Sequence, residues 1–275
     1  TNQLYSDSTN AQGTDTTLTN LVSFDSNGFT LGATSGFNVS NKSGDDYVAW
    51  CWKAGGSAVS NTNGSITSTV SANTAAGFSI VKGTAISSGA FTVGHGLSAA
   101  PEFYVIKNTS STGSWIVYAN VLGNDKYLVL NSTDAASTST LFWNNTAPSS
   151  TVFQMNAGQV ITGGADFIAY CFHSVAGYSK IGSYSGDNGT NNQINLGFQP
   201  RWVMIKLSSH SGQNWYIMDD QRENTSVEKA LSANLSDSEE TLNNHLDFTS
   251  TGFTLTKSSG AFNQSGYTYI YMAFK

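Results

Sequence analysis

The sequence predicts an all-β protein of tandem antiparallel β-sandwich units, jelly-roll or lectin-like, with little helix. Three observations predict it. One strand-like segment recurs as "DYVAWCWK" at 46–53, "DFIAYCFH" at 166–173 and "TYIYMAFK" at 268–275. Repetition of this kind sets architecture before any single residue does. Short β-branched and aromatic runs dominate the chain, among them "FYVIK" (103–107), "WIVY" (115–118), "KYLVL" (126–130) and "WVMIK" (202–206). Such runs suit a pleated, half-buried surface. Clusters of Gly, Asn, Ser and Asp separate them, a spacing typical of antiparallel sandwiches and barrels.

The units follow in chain order. Residues 1–53 fit only the back half of a unit: "LVSFDSNGFTL" (21–31) matches "LDFTSTGFTL" (246–255), and "DYVAWCWK" follows. The front half, with its proline, "VIK" strand and tryptophan, is missing. A fragment or processed product of a longer protein is expected, with completion by a second chain as the alternative. Residues 54–75 are rich in Ser and Thr, and the alternation in "SITSTVS" reads as an exposed strand or ribbon, or as an ordered linker.

Residues 76–173 and 176–275 are two full units. Pro101 corresponds to Pro200, Trp115 to Trp215 and Asn131 to Asn234. Both "YVAWCW" and "FIAYCF" are apolar on alternate residues of both sets, so they are expected as central strands buried on two sides. Trp115 and Trp215, at one repeated position, are expected in the core. Cys51 and Cys171 share a position that is Ala273 in the last unit. They are expected as free, buried thiols. Helix signals are thin. The Ser236 to Glu239 spacing offers one short helix at 236–240, and 225–231 offers another.

Composition narrows function. Charged residues are 11% and the net charge is −6 without a basic cluster, which argues against nucleic acid as a partner. No apolar run approaches a membrane span, so membrane insertion is not expected. The four histidines, His95, His173, His210 and His245, lie at no metal-ligand spacing, and no metal or cofactor is expected. His95, in "VGHGLSAAP", reads as a loop-orienting or ligand-contacting residue. The loop "SGDNGTNN" (185–192) reads as an ordinary turn. The acidic pairs Asp45–Asp46, Asp219–Asp220 and Glu239–Glu240 are adjacent residues that point to opposite faces of a strand. They therefore do not supply the facing carboxylates of glycoside hydrolysis, and no catalytic residue is expected.

Binding candidates remain. Trp143, in "LFWNNTAP", is surrounded by turn formers and is expected as an exposed aromatic platform for a sugar ring. "WYIMDDQR" (215–222) gathers Tyr216, Asp219, Asp220 and Arg222 near one strand end, suited to polar ligand contacts or to an ion pair between units.

The motif series "SFDSNGFTLG", "YVAWCWKAGG", "GSITSTVSANTAAGFSIV", "VGHGLSAAPEFYVIKN", "YLVLNSTDAAST", "YCFHSVAGYSKIGSYSG" and "GFQPRWVMIK" with "YIYMAFK" resembles a repeated β-domain. That domain is abundant in predicted virion structural and tail-fibre proteins of marine and cyanobacterial phages, and it also occurs in bacterial proteins of unknown role. The resemblance spans nearly the whole chain and offers no catalytic residues. It implies a non-enzymatic virion surface protein, such as a tail fibre, head fibre or decoration protein, extracellular, with a host-surface glycan as its candidate ligand. Its implied partners are other virion proteins and further copies of itself, a trimer by analogy with fibres. The alternative is a carbohydrate-binding module of a secreted or surface bacterial protein. A glycan-directed hydrolase ranks third.

Overall fold

The computed structural model describes residues 2–14, 20–32, 40–222 and 228–275. The N-terminal part holds two hairpins, β1 (Asn2–Gln3) with β2 (Gly13–Thr14), and β3 (Leu21–Asp25) with β4 (Gly28–Leu31). Then come β5 (Val59–Asn61) and β6 (Ser68–Asn73). The first complete repeat holds β7 (Phe78–Thr84), β8 (Gly89–Gly94), β9 (Phe103–Asn108), β10 (Ile116–Ala119), β11 (Lys126–Val129), β12 (Ser137–Thr138), β13 (Val152–Ala157) and β14 (Asp166–Phe172). The second holds β15 (Ser179–Ser185), β16 (Asn192–Asn195), β17 (Trp202–Leu207), β18 (Trp215–Asp219), β19 (Glu228–Ser232), β20 (Glu240–Leu242), β21 (Leu246–Thr249), β22 (Gly252–Leu255) and β23 (Thr268–Phe274).

The two repeats share one topology. The large sheet of the first runs β12-β11-β10-β9-β14-β7, extended by β6 and β5. That of the second runs β20-β19-β18-β17-β23-β15. Each is faced by a small sheet, β13-β8 in one and β16-β22-β21 in the other. All the named strand pairs are antiparallel. The all-β sandwich class read from the sequence is the observed one.

Strand alternation explains the layering. On β9, Tyr104 and Ile106 enter the core between the large and small sheets, while Phe103 and Val105 point to the other face. On β17, Val203 and Ile205 face their own small sheet, while Trp202 and Met204 face away. The outward faces of both large sheets meet in one further core with Trp115, Trp215, Phe172 and Phe274. Trp50, Trp52 and Leu4 pack against it from the N-terminal part. The two repeats are therefore joined through their broad faces. This is why their central strands are apolar throughout.

Two expectations need correction. No helix forms at 236–240: residues 235–239 run without regular structure into β20. Glu239, the would-be capping partner, is held instead by Arg222 and Lys229. In the other segment, residues 223–227 lie outside the described residues, and 228–231 belong to β19. Cys51 is a free thiol but exposed, unlike buried Cys171, because no strand pairs with Val48–Lys53 among the described residues. Residues 54–75 take the strand alternative rather than the linker: β6 pairs with β7 from Thr69↔Lys82 to Asn73↔Phe78, and Val70 is buried.

The glycine of "AAGFS" and "VAGYS" has a local reason to recur. Gly77 and Gly177 both adopt positive φ, 65° and 73°, a conformation that glycine enters without steric cost. Each turns the chain into the first strand of its repeat.

Candidate functional site

A groove of about 1290 Å³ opens in the fold. It lies between the N-terminal part and the shared core. Phe29, Trp50, Trp52, Phe103, Trp115 and Leu235 are among the residues that line it. Its walls are mostly apolar side chains of the second sheet faces.

One polar cluster stands at this junction, around Asp219 at the end of β18. Its Oδ2 accepts from Arg222 Nε (2.8 Å) and from Trp50 Nε1 (3.1 Å). Its Oδ1 accepts from the backbone N–H groups of Gln221 and Arg222, both at 3.1 Å. Arg222 continues to Glu239 (2.7 Å) and lies 5.4 Å from the Trp50 ring centroid. Glu239 also meets Lys229 at 3.3 Å. Hydrogen bonds and ion pairs with Arg222 and Lys229 outweigh desolvation and hold its carboxyl below the usual range. The ion pairs of this network all lie within the last repeat, so they are not the pair between units that "WYIMDDQR" suggested. The link to the N-terminal part is the Trp50 indole, and Arg222 Nη2 is buried without a hydrogen-bond partner among the described residues.

The other predicted site residues lie elsewhere. Asp220 pairs with Arg201 at 3.2 Å on the surface. Tyr216 points to the opposite face of β18 and packs on Phe262 in the core of the second repeat, where burial pushes its hydroxyl pKa up. Trp143 is fully buried. It packs edge-on against Tyr104 and Tyr118 and donates from Nε1 to the Lys126 carbonyl at 2.8 Å. The exposed platform expected of it is thus corrected: the turn formers around it fold over the ring. Of the five, only Asp219 and Arg222 touch.

His95 orients a loop. Its Nδ1 accepts from Leu97 N–H (3.1 Å) and its Nε2 reaches the Ser149 carbonyl (3.2 Å), which defines a neutral ring with the proton on Nε2. Burial lowers its pKa. Among the described residues no group of three or more His, Cys, Asp or Glu could hold a metal ion. No described helix is long and apolar enough to cross a membrane.

Sequence reasoning missed two residues, Lys107 and Lys206, the final letters of "VIK" and "MIK". Both are buried. Lys107 Nζ donates to the carbonyls of Thr9 (2.9 Å) and Gly113 (2.6 Å). Lys206 Nζ donates to Thr133 (3.0 Å) and Gln213 (2.6 Å). Desolvation lowers the pKa of both, that of Lys206 to about 8. A lysine at a repeated position within an apolar strand was the available signal.

The fold and groove define a class: repeated β-sandwich units fused through a common core. The chain belongs to the family described as a domain of unknown function (DUF7483), whose model matches residues 1–275. No curated protein and no solved structure matches it.

Proposed function

We propose that this chain is a non-enzymatic structural component of a phage particle surface, in a tail fibre, head fibre or decoration layer. The observation that carries the structural part is the shared core: two sandwiches locked face to face form a rigid body. Four of the acidic-pair carboxylates, Asp45, Asp219, Asp220 and Glu239, are each engaged by a cation, which supports a structural rather than catalytic use of them. The motif series points to virions in particular, and assembly as a homotrimer follows by analogy with fibres. The test is proteomics of density-purified particles from the encoding host. The reading expects this chain to band with capsid and tail proteins; recovery only from the cell-free secreted fraction would overturn it. Sedimentation of the purified chain checks the trimer, and a monomer at every concentration defeats that part.

A glycan-binding reading has one observation in its favour. Trp50 and Trp52 stand half-buried in the groove, and flat aromatic faces stack on sugars. Binding on a glycan array that vanishes in Trp50→Ala supports it; a blank array with the folded chain removes it.

A further inference from the structure

The contact between successive units is built twice from matching parts. In the first instance Trp115 Nε1 donates to the Tyr5 carbonyl at 2.9 Å and Lys107 Nζ to that of Thr9. Gly113 N–H also donates to Thr9, and Gln12 N–H donates to Thr109. In the second, Trp215 Nε1 donates to the Val129 carbonyl at 3.1 Å and Lys206 Nζ to that of Thr133. Gly212 N–H also donates to Thr133, and Ala136 N–H donates to Ser208. The front half of each complete repeat thus clamps the loop after β1 or after β11 of the unit before it.

These loops are one structure. The β1–β2 register Asn2↔Thr14 repeats as Lys126↔Thr138 and as Lys229↔Thr241. Each loop closes with the same turn: Ser8 N–H to Tyr5, Ser132 N–H to Val129, and Leu235 N–H to Ser232. The third loop, 232–239, is therefore formed like the two that are clamped. Leu235 on it is 38% exposed and lines the groove.

Another stretch of the groove lining tells the same story. Val48–Lys53 is the counterpart of β14 and β23, each of which has strands on both sides, β7 and β9 or β15 and β17. Among the described residues no strand pairs with Val48–Lys53; at its end the Asn73 side chain of β6 donates a hydrogen bond to the Lys53 carbonyl. Phe29, counterpart of Phe153 (0%) and Phe253 (1%), is 37% exposed. Asp7 stands where Asn131 and Asn234 accept the backbone N–H of Trp115 and Trp215 at 2.9 Å. Between Val48–Lys53 and β1 the repeat pattern leaves two strand places, about 14 Å at ordinary strand spacing.

We infer that this groove seats one more front half of the repeat. The occupant is a strand and a hairpin, with a buried lysine closing one hairpin strand and a tryptophan opening the next, carried by polypeptide outside residues 1–275. It adds strands beside Val48–Lys53 and clamps loop 232–239, as strand addition to an open edge does elsewhere. A second copy of this chain is not the occupant, because both of its own hairpins are engaged within it.

The test is a fusion that places a copy of residues 76–125 immediately ahead of Asn2, the counterpart of Lys126. That insert contains no cysteine, so the two thiols report directly. In the parent chain Cys51 reacts with a thiol reagent and Cys171 does not. In the fusion Cys51 is expected to slow by at least about tenfold, as exposed thiols do when ladders form over them. Replacing the inserted tryptophan and lysine by Ala is expected to restore much of the reactivity. An unchanged Cys51 rate in the fusion overturns the inference. Should the fusion aggregate, a peptide of residues 100–119 added to the parent chain decides. Saturable protection of Cys51 supports the inference, and none at any soluble concentration overturns it. Protection that rises with parent concentration alone identifies a second copy as the occupant, and also overturns it.

Discussion

Trp143 shows how a single residue misleads. Its neighbours Asn144, Asn145 and Pro148 signal a turn, and turns lie at the surface. Yet Asn144 and Asn145 take positive φ, 50° and 46°, and that tight turn folds the indole onto Tyr104 and Tyr118. Trp143→Ala should therefore cost stability, about 3–5 kcal/mol by the usual scale of core truncations, measured by chemical denaturation. Any glycan binding should survive wherever the variant remains folded. Lys206 carries the opposite lesson. Lys206→Met leaves the Gln213 carbonyl without its lysine donor and should cost about 1–3 kcal/mol, read as a lower denaturation midpoint.

His95 adds a pH dependence at the same scale. Its folded pKa lies below the ordinary histidine value because burial disfavours the cation. The unfolded chain therefore takes up the proton first as pH falls. The stabilisation is complete above about pH 6.5 and declines as pH drops from there towards the folded pKa. His245 is shifted the same way, mainly by burial and then by Lys257. Thermal melts from pH 7.5 to 5 should show this decline, and His95→Gln should flatten part of it.

At the scale of elements, periodicity was legible and context was not. The runs at 103–107 and 202–206 form β9 and β17 because alternate residues feed two different apolar layers. "SITSTVS" reads as an exposed strand or ribbon, and Val70 is the residue that commits it to the sheet, packing into the first repeat's core. Val70→Asp should strip β6 from β7, since a lone carboxylate buried there is costly. Hydrogen exchange over 68–73 should then accelerate while 202–207 stays protected. The capping-box reading at 236–240 failed because a local spacing cannot weigh the salt bridges of Glu239 to two residues from other parts of the sheet.

At the scale of the molecule, the shared core makes the repeats interdependent. Trp202, Met204, Ile270, Met272 and Phe274 bury against the first repeat. An isolated 176–275 fragment would present them to water, an apolar face of the kind that drives association. We expect the fragment to aggregate. The full chain should unfold in one calorimetric transition, with van't Hoff and calorimetric enthalpies in agreement; two resolved transitions would contradict the shared core.

The sequence by itself determined that the chain is all-β, where its repeats begin and end, and which strands carry apolar residues on both faces. These follow from local periodicity and from the order of repeated motifs. Only the tertiary structure decided what covers those second faces, that Trp143 is inside and Cys51 outside, and that a lysine in each full repeat grips the unit before it. Burial and pairing depend on which strands come to lie side by side, and residues as distant as Trp50 and Asp219 acquire their roles only when the whole chain has folded.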